Sequence, residues 1–257
     1  FLHSEGDRER LRESLSAKAG FEFYPTDNDV ISISSRYGKR TSKSDMNTDY
    51  SQWNSFNQSP SKYQSIEDNE RGGNFVSLNS EYSHKFNGDR EHKFDVHLMA
   101  YQYDGSDVSI NTLKDDFGQV VNSQKSGEAG PSQGFRYRVN YKRPLSATMK
   151  MEAGAQGRYR DAAEDNTVYY LDIDKNEYEL QEKFSHNVEY FRNIHAGYAL
   201  MNGEYEQFGW QAGFRAEYTY RKIELKDLND DFTIDRWDYF PTLHLSYKLH
   251  SDQQLMA

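Results

Sequence analysis

Apolar and polar side chains alternate with period two through most of this chain, which admits β-strands and excludes amphipathic helices over the same stretches. In residues 14–23, Leu15, Ala17, Ala19, Phe21 and Phe23 share one face and Ser14, Ser16, Lys18, Gly20 and Glu22 share the other. Pro25-Thr26-Asp27-Asn28-Asp29 then reads as a turn, because Pro fixes φ and Asp and Asn tolerate turn conformations. A second strand is expected over 30–39 and a third over 75–86, the latter aligning Val76, Leu78, Tyr82 and Phe86. After Asn87-Gly88-Asp89 a fourth carries Phe94, Val96, Leu98 and Ala100. The fifth is the cleanest: Phe135, Tyr137, Val139 and Tyr141 alternate with Arg136, Arg138, Asn140 and Lys142. Pro144-Leu145-Ser146 leads to a sixth over 149–156, where Met149, Met151, Ala153 and Ala155 oppose Lys150, Glu152 and Gln156. The seventh covers 184–201, with Ile194, Ala196, Tyr198 and Leu200 taken as one face, and Asn202-Gly203 begins the next turn. An eighth over 210–219, a ninth over 237–249 and a tenth from Gln254 complete an antiparallel up-and-down meander of about ten strands.

The connections discriminate among all-β folds. Short turns are expected near 25–29, 87–92, 144–146, 202–206 and 250–253, and long loops near 40–71, 104–132, 160–183 and 222–235. Short and long alternate throughout, as they do when one rim of a barrel meets the periplasm and the other faces outward. A soluble sandwich or lipocalin-like barrel has no physical reason to put every long connection at one end. About 11 residues at 3.3 Å, tilted near 45°, climb roughly 25 Å, the height of an outer-membrane apolar band. The four long segments hold 23 acidic residues against 11 Lys and Arg, a balance more negative than the -10 of the whole chain. The acidity is therefore expected on one rim.

Composition agrees. Twenty Tyr, 15 Phe and 3 Trp are too many for a disordered tail. No run of 18 apolar residues is present, which excludes a helical membrane span and says nothing against strands. Cysteine is absent, so disulfides and thiolate metal sites are excluded. The net charge of -10 argues against nucleic acid as a partner.

Several segments resemble one family. Residues 19–25 turning into 30–34 are similar to a recurring hairpin of Bacteroidota outer membrane β-barrel proteins related to TonB-dependent receptors. Residues 78–86, 213–219 and 238–247 resemble further strands of the same family, in the same order. In that family the last of these strands precedes another segment, so 1–257 is expected to be a partial transmembrane β-barrel, a fragment beginning at Phe1 without a signal peptide. The resemblance implies localisation in the bacterial outer membrane and uptake of a nutrient such as a siderophore, glycan or peptide. It also implies lipid and lipopolysaccharide as surroundings, and a periplasmic energy-coupling protein reached through a plug not found in this chain. A non-energised pore or adhesin is the alternative, with a soluble ligand-binding β-domain behind it.

Site candidates are few. Tyr50, Trp53, Phe56 and Tyr63 are candidates for a stacking platform that binds substrate, against ordinary packing. Tyr24, Tyr37, Tyr141, Tyr198, Trp210, Tyr218, Trp237 and Tyr247 are expected in interfacial girdles. Asp172-Ile173-Asp174-Lys175-Asn176 begins like a calcium loop, but Glu177 and Lys183 stand where an EF-hand needs Gly and Glu. His84, His97 and His244 have no ligand spacing, so no metal is expected. Glu22, Glu152 and Glu217 are expected to balance Arg136, Arg138 and Arg215 in the lumen. No nucleophile elbow, phosphate loop or dinucleotide fingerprint occurs, so neither enzyme chemistry nor a cofactor is expected.

Overall fold

The computed structural model describes residues 1–54, 59–228, 230–250 and 253–256. Its strands are β1 (Leu2–Phe23), β2 (Asp29–Gln52), β3 (Ser61–Lys85), β4 (Lys93–Asp115), β5 (Val120–Pro144), β6 (Met149–Asp172), β7 (Glu177–Leu180), β8 (His186–Tyr205), β9 (Phe208–Leu225), β10 (Asp230–His250) and β11 (Gln253–Met256). They form one antiparallel sheet in the order β1-β2-β3-β4-β5-β6-β8-β9-β10-β11, with the short β7 paired to the far end of β6. No α-helix occurs among the described residues. The sheet is a single open layer, since β1 and β11 do not pair with each other.

The register aligns the apolar faces across the strands. Phe21 meets Ile33, Ile31 meets Tyr82, Leu78 meets Ala100, Val96 meets Val139, and Val139 meets Ala155. Met151 meets Met201, Ala199 meets Phe214, and Ala212 meets Leu243. The result is a continuous apolar band on one face, at the end of the sheet where the short turns lie. A soluble protein would bury that band, yet here Phe21 is 61% exposed, Leu243 64% and Tyr239 61%. Among the described residues the buried apolar side chains are Ile194 and Ala196, and they lie on the opposite, polar face. This inside-out distribution gives a soluble core nothing to be built from.

Strand length departs from expectation. The segments expected as long loops, 40–71, 104–132, 160–183 and 222–235, are for the most part continued strand. β2 and β3 pair up to Gln52 and Ser61, while β4 and β5 run until a connection at 116–119. Residues 160–183 continue β6 and add β7, and β9 and β10 are joined across 226–229. The physical reason is that both faces of these upper halves are polar, so no apolar rhythm marks them, while the backbone ladder needs none. Cross-strand pairs hold them: Lys43 with Glu70 at 3.1 Å, Arg71 with Asp107 at 3.8 Å, and Asn69 donating to Asp107 at 3.0 Å. The excess of acid found in these segments thus lies on extended walls as well as at loop tips.

Two smaller corrections concern β8. Asn202-Gly203 is not a turn: Asn202 pairs with Lys150 and Gln211, and Gly203 pairs with Met149 and Trp210. The turn is Glu206-Gln207, with Glu206 at φ 52. Gly203 is required where it is, because a Cβ there would lie 2.8 Å from the Trp210 indole nitrogen. The face Ile194, Ala196, Tyr198 and Leu200 belongs to the polar side, and His195, Gly197, Ala199 and Met201 continue the apolar band.

Candidate functional site

The polar face at the height of the apolar band carries the chemistry. Alternate residues of β4 to β10 project there, and the register brings arginines from four strands together. Arg136 lies directly opposite Arg158, Arg160 opposite Arg192, and Arg192 opposite Arg221. Like charges directly opposite one another weaken a sheet, so stability gives no reason for the arrangement. Aromatic rings take the guanidinium groups: Arg136 lies 5.7 Å from the Tyr101 ring centre, and Arg160 and Arg192 lie 5.6 and 5.7 Å from that of Tyr190. The Arg160 Nε–H donates to Ser132 Oγ at 3.1 Å. The Nε groups of Arg192 and Arg221 are buried and without a hydrogen-bond partner among the described residues.

The carboxylates expected to balance these arginines are engaged elsewhere. Glu217 pairs with Arg215 at 2.6 Å, Glu152 with Lys142 at 2.9 Å, and Glu22 accepts from the Tyr24 hydroxyl. Of the three expected arginine partners, Arg215 alone is matched by such a carboxylate. Arg138 joins Arg136, Arg158 and Arg215 around a cleft of about 410 Å³ floored by Ile194 and Ala196. Sequence reasoning missed Arg158, Arg160, Arg192 and Arg221. Their alternation was visible, but their meeting depends on registers between strands.

Higher on the same face the sign of charge reverses. Asp107, Glu128 and Glu164 line one cleft with Arg71 and, at its lower side, Arg160. Burial, then the neighbouring Glu164 and Asp107 charges, raise the carboxyl pKa of Glu128 above the ordinary value. The inner wall is therefore graded, acidic above and basic below.

The aromatic platform is brought together only in part. Tyr50 and Tyr63 are direct cross-strand partners, with rings stacked 4.8 Å apart at 12°. Trp53 stacks instead on Phe1, with centroids 5.9 Å apart, and Phe56 lies outside the described residues. Among the expected girdle residues, Tyr37, Tyr141, Trp210, Tyr218, Trp237 and Tyr247 follow the apolar face. Tyr24 sits in the first turn. Tyr198 does not join them: it lies on the polar face and its hydroxyl donates to Asn140 at 2.6 Å. His84, Phe86, His92 and Tyr141 pack ring against ring near the short-turn end, with Phe86 and His92 stacked at 4.3 Å.

Asp172 serves its own turn. Its carboxylate accepts from the backbone N–H groups of Asp174 and Lys175 at 3.0 and 3.1 Å and pairs with the Lys175 ammonium at 3.0 Å. The Lys175 side-chain hydrogen bond is the chief reason its carboxyl pKa is lowered. Of the three histidines, His84 bonds Asp29 at 2.7 Å and His97 faces Glu81 at 3.2 Å. His244 lies beside Gln211 on the polar face. No cluster of three or more metal-ligating side chains occurs among the described residues.

Comparison with known proteins gives one family and several distant folds. No curated protein matches the sequence. The ferric citrate transporter FecA in its unliganded form shares 12% identity at a TM-score of 0.48, over 99% of this chain and 43% of its own. The alcaligin receptor FauA from Bordetella pertussis shares 11% at 0.45, over 97% and 41%. The ferric yersiniabactin receptor FyuA from Yersinia pestis shares 11% at 0.39, over 97% and 45%. This chain thus spans less than half the length of these structures. The profile of the outer membrane protein beta-barrel family matches residues 84–257. That match covers most of the chain and agrees with the exposed apolar band: the chain belongs to the outer membrane protein beta-barrel family and resides in the bacterial outer membrane.

Proposed function

We propose that this chain is one wall of an energised outer membrane receptor that takes up an extracellular nutrient. The observation that carries the reading is the mismatch between strand length and band height. β2 to β6 run 23 to 25 residues, whereas about 11 suffice to cross the apolar layer. The remainder builds a tall wall above the membrane with polar side chains on both faces. A passive pore needs no such vestibule, and a receptor that captures scarce solute before transport does. The similarity of residues 19–34, 78–86, 213–219 and 238–247 to TonB-dependent receptor relatives supports the same reading.

In this reading the apolar band meets outer-membrane lipid and lipopolysaccharide, and the short turns face the periplasm. Further strands and a plug belong to the parent protein, and the plug engages a periplasmic energy-coupling protein. The solute is a siderophore, glycan or peptide, and the stacked Tyr50 and Tyr63, with Trp53 and Phe56 nearby in sequence, offer ring faces near the rim. The reaction is passage, with no bond made or broken. The test is conductance of the full-length protein in a planar bilayer, together with nutrient accumulation in cells with and without the inner-membrane energy complex. A closed barrel at rest and accumulation that needs the complex support the reading. Steady ion conductance with uptake indifferent to the complex would assign a passive pore.

A further inference from the structure

We infer that the lipid-facing side of the wall carries a specific site for one outer-leaflet glycolipid, an acyl chain attached to a sugar headgroup. The inference goes beyond the uptake reading and rests only on the orientation given there, with the short turns toward the periplasm. Three observations carry it.

The first is a recess in the apolar band. Leu78, Ala100 and Phe135 are direct cross-strand partners, and so are Val76, Gln102 and Gln133 one position higher on the same face. Ala100 is a small floor, and Leu78, Val76 and Phe135 stand around it, 50, 42 and 41% exposed. The cleft they form has about 470 Å³. Tyr159, opposite Phe135, closes one side, its ring set edge to face against Phe191 at 5.2 Å. On β9 and β10 the Tyr218 and Trp237 rings, 5.3 Å apart, fill the equivalent surface. A slot with apolar walls and a methyl floor suits a flexible chain of methylenes.

The second is the change of lining along the strands. Gln102 and Gln133 lie nine and eleven residues up from the lower strand ends at Lys93 and Pro144, and about 11 residues cross the apolar layer. They therefore stand at its outer boundary, where an acyl chain ends in its ester or amide link. A glutamine amide carries donors and an acceptor, which matches that link. The Gln133 amide also donates to Asp161 at 3.4 Å.

The third is what lies above. On the same face the recess is followed by a trough of about 870 Å³, with Lys39, Thr41, Asn74, Asp104 and Ser106 along it. Asp45, Asp68, Glu70 and Asp104 line this trough against Lys39 and Lys43, and Lys43 is paired with Glu70 at 3.1 Å. That balance disfavours a headgroup that is chiefly phosphate and favours hydroxyl and amide groups, the chemistry of an acylated sugar. The trough continues the surface that meets lipid, so one amphipathic molecule spans both. β2 to β6 have neighbours on both sides, so strands added at the edges of the sheet leave the site open, and a plug in the lumen lies behind it.

The experiment is native mass spectrometry of the full-length protein, stripped of lipid in detergent and offered an equimolar mixture of monophosphoryl lipid A and phosphatidylethanolamine. The expected result is one lipid A retained per protein in preference to phosphatidylethanolamine. Ala100→Phe, which fills the floor, should lower retention about tenfold. Gln102→Leu/Gln133→Leu should lose the preference between the two lipids. Ala216→Phe, at a small residue of the same band outside the recess, should retain lipid A as the wild type does. If Ala100→Phe fails to fold, the glutamine variant and the wild-type preference still decide. Retention of neither lipid overturns the inference, and so does equal loss in Ala216→Phe, since bulk anywhere on the band would then suffice. Phosphatidylethanolamine held in preference would place the recess in the phospholipid leaflet, against the inference and the orientation together. No solute or energy source enters the measurement, so failure here and failure of energised uptake are separate results.

Discussion

Leu243 and its neighbour Thr242 sit on one strand at one height, and the two faces they occupy obey opposite rules. Leu243 projects with Ala212 into the apolar band and is 64% exposed. Thr242 projects with Gly213 onto the polar face that also carries Arg215 and Arg192. The same backbone ladder serves both. The contrast teaches that exposure in an isolated sheet does not mean contact with water. The apolar side chains are left outside because lipid is their core, and the charged ones are crowded on the other face because the interior of an outer membrane barrel is polar.

The comparison breaks most severely if a charge crosses from one face to the other. Leu243→Arg should destabilise the protein in lipid vesicles by about 2–4 kcal/mol, as charge on the lipid face near the bilayer midplane does, read by urea unfolding. Thr242→Arg should change stability far less. Comparable costs at the two positions would contradict the assignment of faces.

Next in size is packing on the polar face itself. A Cβ at Gly134 would lie 2.6 Å from the Tyr101 ring, which crosses that glycine to reach Arg136. Gly134→Val should therefore cost about 1–3 kcal/mol as an overpacked site. Full stability in this variant would place Tyr101 elsewhere.

A smaller effect of opposite sign belongs to the same face. Arg192 faces Arg160 and Arg221, so Arg192→Gln should stabilise the protein by about 0.2–1 kcal/mol. Destabilisation would show that the stacking of Arg192 on Tyr190 outweighs the relief of like-charge opposition.

The smallest effect lies at the short-turn end. Hydrogen bonds from Thr26, then His84 and Tyr82, hold the Asp29 carboxyl at about 2. A folded-state pKa below the unfolded one contributes stability that is complete above the usual carboxylate range and disappears as pH falls through about 2. Asp29→Asn should remove a small increment at neutral pH and none at the acid end, read as a difference in thermal midpoint across pH.

The sequence made the lower half of the sheet legible and the upper half illegible for one reason. From Leu15 to Phe23 or from Trp237 to Tyr247 one face must be apolar, so the rhythm is written in the residues. In Thr41–Ser51 both faces meet water, and Ser, Asp and Asn there read as loop although they sit in a continuous ladder. Asn202-Gly203 carries turn chemistry, but Trp210 needs that glycine in the strand. β8 offers two faces of similar apolarity, and pairing with β6 and β9 decides between them. The arginine patch was invisible for a related reason, since each strand contributes one or two arginines and only cross-strand register assembles them. The Tyr50–Tyr63 half of the platform was legible because both residues flank one hairpin.

These 257 residues contain no cysteine, so single cysteines can be placed along β10 once any cysteine elsewhere in the full-length protein has been replaced by serine. With the full-length protein in lipid vesicles, cysteines at positions 242, 243, 244 and 245 would be challenged with a water-soluble and a lipid-phase thiol reagent. The account predicts strict alternation: water-soluble reagent reaches positions 242 and 244, and lipid-phase reagent reaches 243 and 245. Uniform labelling along the strand, or alternation with the opposite phase, would contradict it.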